Sequence, residues 1–159
     1  MLSGSESHFK YKQMDFTAPV SRYMTRKLVA VSPGDRLTEV KEIFESQRIH
    51  HIPVVKFTSL VGIISKLDFM HFLNGIDVSS SNGMSEKSML EKHTAEEIMT
   101  KGIATLEAGE RLNVALQIFS ENLFHAIPIV DDGKLVGMLT TLDIIKVLVE
   151  EDNARIKAV

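Results

Sequence analysis

The chain has 159 residues, enough for one compact domain or two small ones packed together, and 44% of them are hydrophobic, as a chain with a real core requires. With 18 basic against 21 acidic residues, the formal net charge of -3 gives no general drive toward a nucleic-acid backbone or an anionic membrane surface. Cysteine is absent, which excludes disulfides and thiolate chemistry, and no stretch approaches the ~20 apolar residues that a bilayer span needs.

Residues 1–15 are polar and mixed in charge, without the apolar run of a secretory signal, so a cytoplasmic protein is the default expectation. Residues 28–31 form a short apolar run, a brief strand, and Pro33-Gly34 then breaks the chain. Leu37, Val40, Ile43 and Phe44 recur at helical spacing. Residues 52–55 and 60–64 are strands joined across 56–59, and 68–73 is a closing helix. The stretch 74–93 is polar: 79–83 is a flexible spacer and 86–92 a short helix. The series then returns. Residues 103–106 are a strand, and Leu112, Leu116 and Phe119 mark a helix. Strands at 127–130 and 135–139 flank the hairpin turn Asp132-Gly133, and 143–149 is an apolar helix. The charged tail beyond 150 frays.

This return is a duplication. Slid by 75 residues, 22–70 aligns with 97–145 without a gap, and 16 of 49 positions are identical. Ordinary composition would match about three. The unit is strand, helix, strand, strand, helix, in two copies that bury their faces against each other about a pseudo-two-fold axis. The fold class is therefore α+β. The boundaries are a tail at 1–16, a first repeat at 17–73, a linker at 74–93, a second repeat at 94–150 and a tail at 151–159.

Two spacings carry chemistry: Gly62-x-x-Ser65-x-x-Asp68 and Gly137-x-x-Thr140-x-x-Asp143. Each hydroxyl sits where a strand gives way to a helix, with the carboxylate three residues on. That is a helix cap with an acidic first turn. The same geometry leaves backbone N–H groups for an anion and an acceptor-only carboxylate for two ribose hydroxyls. His50-His51 and His125-Ala126 open the second strand of each copy. Alternation along a strand would send His50 and His51 to opposite faces, so they do not converge on one metal. Leu28 and Ile103 from the first strands, and Ile63 and Met138 from the third, are either ordinary core or the walls of an apolar slot. Arg22, Arg26, Lys27, Lys66 and Lys101 flank these segments as solvated cations or phosphate partners.

The Met-Thr openings, His-His-Ile-Pro-Val-Val with His-Ala-Ile-Pro-Ile-Val, and Gly-Ile-Ile-Ser-Lys-Leu-Asp with Gly-Met-Leu-Thr-Thr-Leu-Asp together resemble the CBS domain, and the whole resembles a CBS pair, or Bateman module, over 17–150. The resemblance implies an adenosine ligand (AMP, ADP, ATP or S-adenosylmethionine), no required cofactor, and disc-like homodimers. It also implies that Thr140 and Asp143, and Ser65 and Asp68, read ribose and nearby phosphate. By the same resemblance His50 and His51 reach the phosphates of the Asp143 pocket and His125 those of the Asp68 pocket. Ala126 would then leave the Asp68 pocket the weaker phosphate site.

No nucleophile elbow, Walker loop or His-Glu-x-x-His is present, so an enzyme is not expected. The leading expectation is an adenine-nucleotide sensor acting in trans on an effector protein, without nucleic acid or membrane as partner. The competing readings are a dimeric scaffold with vestigial pockets, a divalent-metal or other small-ligand sensor and, least favoured by charge, a nucleic-acid module.

Overall fold

A computed structural model describes residues 14–75, 85–121 and 124–157, so the spacer expected at 79–83 lies outside the described residues. In chain order the elements are α1 (Leu37–Ser46), β1 (His51–Lys56), β2 (Ser59–Ser65), α2 (Lys66–Gly75), α3 (Glu86–Leu90), α4 (Ala95–Ile98), β3 (Leu106–Glu107), α5 (Leu112–Ser120), β4 (Ala126–Asp131), β5 (Lys134–Thr140) and α6 (Thr141–Ile156), with a 3₁₀ turn at Val20–Arg22 ahead of them. The strands form one mixed sheet in the order β1-β2-β5-β4-β3. The two antiparallel hairpins keep the same register: His51 stands opposite Ser65, and Ala126 opposite Thr140. Among the described residues, the backbone pairing between the hairpins is confined to their tips, where Ser59 pairs with Lys134. Both turns use the left-handed region at one equivalent position, Phe57 at φ 59° and Asp132 at φ 48°, and Gly133 follows at φ 73°. Asp-Gly suits that conformation; the first turn has Phe57-Thr58 at the same place, so it lacks that turn signal in its sequence and strains Phe57 in the fold.

Among the described residues each half has a core, with a smaller cluster at the seam, and the membership of the two cores is offset from the repeat. Leu37, Val40 and Phe44 of α1 pack with Ile52, Val54 and Ile64, and this core also takes Leu90 and Ala95 from the chain leading into the second copy. Leu112 and Ala115 of α5 pack with Ile127, Ile129 and Leu139, and that core takes Met14, Val20 and Met24 from ahead of the first copy. Each half thus lends its lead-in segment to the other. The exchange is pinned by backbone pairing. Thr25 N donates to Met138 O at 2.8 Å and Met138 N to Thr25 O at 2.9 Å. One repeat later, Thr100 N donates to Ile63 O at 2.9 Å and Ile63 N to Thr100 O at 3.0 Å.

Three features depart from the sequence expectations, and the exchange explains the first two. The strand expected at 28–31 shrinks to one bridge, Val31 to Val54, and that expected at 103–106 becomes the two-residue β3, parallel to β4. The chain leaves the other half at Thr25 or Thr100 and must cross the interface before it can pair at Val31 or Leu106, so the residues between cannot form a ladder. The linker is not only a spacer. Ser85 caps α3, Lys41 of α1 bonds Glu86 at 2.6 Å, and Leu90 is 1% exposed. Burying a leucine contributes about 1.5–3 kcal/mol. The charged tail does not fray at 150, because α6 continues to Ile156.

Gly62 and Gly137 are what let the lead-in segments reach β2 and β5. A Cβ on Gly62 would lie 2.5 Å from Met99 Sδ, and one on Gly137 would collide with Met24 Sδ. Gly62→Ala, whose Cβ would also lie 3.0 Å from the Thr100 backbone oxygen, is therefore expected to destabilise by about 1–3 kcal/mol through overpacking. Gly109→Ala, where a Cβ meets nothing within 4 Å, should leave the thermal midpoint nearly unchanged. Equal midpoints for the two variants would refute this account of the interface.

Candidate functional site

The hairpin registers bring each Ser/Thr–Asp pair to a strand–helix junction. Ser65 N and Oγ donate to Asp68 Oδ2 at 3.0 and 2.6 Å, and Asp68 N donates back to Ser65 Oγ at 3.0 Å. Thr140 and Asp143 repeat this at 2.8, 2.6 and 3.2 Å. The caps are therefore real, each satisfying donors of a helix first turn. The pairs differ at the second carboxylate oxygen. Asp143 Oδ1 accepts from Thr25 Oγ1 at 3.0 Å, a bond between the halves. Among the described residues no hydrogen bond reaches Asp68 Oδ1, and Thr100, the counterpart of Thr25, lines a cavity instead.

That cavity, of about 460 Å³, lies between the halves. Ser65, Asp68 and Lys66 line it from the end of β2 and the start of α2, and His50, His51 and His125 line it from the entries to the two hairpins. Ile63, Ile103 and Ala126 supply apolar lining. Leu28, Ile103, Ile63 and Met138, the four residues singled out for an apolar slot, form one cluster with Ala126 at the seam.

The histidines depart from expectation. His125 lines the Asp68 cavity, but His50 and His51, expected at the Asp143 pocket, line the Asp68 cavity too. Lys66 N donates to His50 O at 2.8 Å and His51 stands opposite Ser65, which places both at the Asp68 end of their own hairpin; the equivalent bond from Thr141 N to His125 O, at 3.1 Å, places His125 at the Asp143 end of its hairpin, and His125 lines the Asp68 cavity from across the seam. Nor does strand alternation separate them, because β1 begins at His51 and His50 precedes it. Among the described residues no group of three or more His, Asp or Glu side chains is placed to hold a metal ion.

Of the flanking cations, Lys66 reaches the cavity. Arg26 donates to Ser21 O at 2.9 Å, Lys101 pairs with Glu96 at 3.0 Å, and Arg22 lies over the Tyr23 ring. Sequence reasoning missed Thr25 and Thr100 as site residues. The signal was there in the Met-Thr pair that opens both copies.

The CBS domain family matches residues 20–75 and 95–150. The chain belongs to the CBS domain family. It carries two CBS domains in tandem, a CBS pair. Protein MJ1225 of Methanocaldococcus jannaschii is similar to it, 27% identical over 135 residues, which are 84% of this chain and 48% of that protein. The crystal structure of MJ1225 matches with a TM-score of 0.72 at 28% identity, covering 87% of this chain and 50% of that one. The chain thus spans about half the length of this relative. CBSX2 in complex with AMP matches at TM-score 0.68 and 24% identity, over 84% of this chain and 97% of that one. The CBS domain pair of MJ0100, in complex with methylthioadenosine and S-adenosylmethionine, matches at 0.66 and 23%, over 85% and 98%. Among the described residues no helix of this CBS pair is long and apolar enough to cross a membrane.

Burial pushes the His51 imidazole below its ordinary value of 6.5; the neighbouring His125 and His50 push it the same way and Asp68 opposes them. A depressed base stays neutral in the fold while the unfolded chain takes up its proton, so stability falls as pH drops below about 6.5. Thermal midpoints of the parent and His51→Gln, compared from pH 7.5 to 5.5, should show the parent losing ground relative to the variant on acidification. A constant difference across that range would contradict the assignment.

Proposed function

We propose that this CBS pair is an adenine-nucleotide sensor whose binding site is the Asp68 cavity. The observation that carries this reading is that one cavity joins three chemistries a nucleotide requires. The Ser65–Asp68 pair suits ribose hydroxyls, His50, His51, His125 and Lys66 suit phosphate, and Ile63 with Ile103 suits a base. The AMP-bound CBSX2 supports an adenosine ligand, and the S-adenosylmethionine complex of MJ0100 keeps that ligand as the alternative. The imbalance between the pockets favours Asp68 over Asp143, since Thr25 already occupies one oxygen of Asp143. Because the cavity lies between the halves, ligand changes how they sit against each other, and an effector protein reads that change. The ligand must bind the two arrangements unequally to switch anything.

The same reading includes a homodimer. Leu67 and Met70 of α2, and Leu142 and Ile145 of α6, stand one repeat apart and are all exposed. Two matched apolar helix faces related by the internal pseudo-two-fold suit a second copy about a true two-fold.

Calorimetric titration with AMP at pH 7 should give saturable heat in the parent, at least tenfold weaker binding in Asp68→Ala, and a smaller loss in Asp143→Ala. Saturable binding lost only in Asp143→Ala would move the site to the other pocket. Phosphate charge favours protonated imidazoles, so AMP affinity should rise from pH 8 to 6.5 while adenosine affinity stays flat. For the assembly, light scattering should report twice the chain mass for the parent and the chain mass for Met70→Lys/Ile145→Lys. A monomeric parent would remove the dimer from the proposal.

A further inference from the structure

Phe124 is a large apolar side chain left 40% exposed, on the wall of the Asp68 cavity and directly before His125 and Ala126. Its counterpart one repeat earlier is Ile49, which packs against the first core. The two positions are equivalent in sequence and differ in use. Ile49 is half-buried core, whereas Phe124 gives its ring to a cavity. An exposed aromatic beside a concave site with polar groups at hand is a ring that lacks a covering surface. The other apolar lining, Ile63, Leu67, Ile103, Ala104, Ala126 and Pro128, is aliphatic, so Phe124 is the apolar aromatic face among the described lining, beside the smaller and polar imidazole rings of His50, His51 and His125.

We infer that Phe124 is the base-stacking residue of the Asp68 cavity, and that it selects ligands carrying a planar aromatic base over bare sugar phosphates. The inference rests on the reading of that cavity as a nucleotide site. It adds which residue grips the base, and it makes the two pockets unequal in base preference, since the equivalent place in the other copy holds aliphatic Ile49. Stacking is available to any flat base. Phe124 therefore supplies affinity for the base as a class, and adenine is distinguished from other bases elsewhere in the lining.

The test uses the whole chain. By calorimetry, Phe124→Ile, which keeps an apolar side chain of the kind the first copy uses, should weaken AMP binding about tenfold, and Phe124→Tyr, which keeps a flat ring, should bind within about twofold of the parent. Ribose 5-phosphate, measured by competition, should bind all three equally. Equal circular dichroism and thermal midpoints would show that the fold is intact. The chain contains no tryptophan, so the indole introduced by Phe124→Trp is a lone fluorophore. AMP should quench it saturably and ribose 5-phosphate should not, and the indole of Phe57→Trp, at the exposed hairpin tip, should respond to neither. AMP binding to Phe124→Ile within twofold of the parent, or a parallel loss of ribose 5-phosphate binding, would overturn the inference while leaving the nucleotide reading in place. A parent that binds no AMP, ATP or S-adenosylmethionine would overturn both.

Discussion

The rest of the structure depends on the way each half's lead-in segment lies across the other half's hairpin, with Met24 over Gly137 and Met99 over Gly62. Close approach of two chains needs a position without a Cβ and a side chain flexible enough to fill what remains; glycine and methionine meet those needs. The approach then allows the paired backbone bonds of Thr25 with Met138 and Thr100 with Ile63. Neither core is complete without its borrowed segment, since Val20 and Met24 are buried in one and Ala95 in the other. The halves therefore fold against each other, and the cavity at their seam is a consequence of that packing.

Because the exchange is nearly symmetric, its small asymmetries decide the chemistry. Thr25 closes on Asp143, whereas Thr100 stays on a cavity wall. His51 has a partner imidazole across the seam in His125, whereas the place equivalent to His51 in the second copy is Ala126. Three imidazoles, one lysine and one carboxylate around a single cavity make its charge depend on protonation. Burial, with His125 and His50 beside it, holds the His51 imidazole below its ordinary value, and Asp68 opposes them. The same Ser65–Asp68 bonds that cap α2 also orient the carboxylate.

Much was legible in the sequence because the duplication doubled every signal. The helices around Leu37 and Leu112, both hairpins and the junctions at Ser65 and Thr140 follow from periodicity and turn chemistry, and the structure has them. The four apolar positions Leu28, Ile63, Ile103 and Met138 were identified as one set, and they meet at the seam. The segments 28–31 and 103–106 read as strands because composition does not record that a chain is leaving one half for the other. Leu90 looked like part of a polar spacer because one apolar residue among charged ones has no period to reveal it.

The sequence by itself determined the repeat, the α+β unit, the two carboxylate–hydroxyl pairs and the family, since all of these rest on local spacing and on comparison of the chain with itself. Only the tertiary structure decided which half each lead-in segment completes, that His50, His51 and His125 share the Asp68 cavity, and that Asp143 is already bonded to Thr25. Those are facts about residues up to 118 positions apart. Local propensity is blind at that range. The pairing register of β1 with β2, and of the lead-in segments with β2 and β5, is what brings such residues within hydrogen-bonding distance.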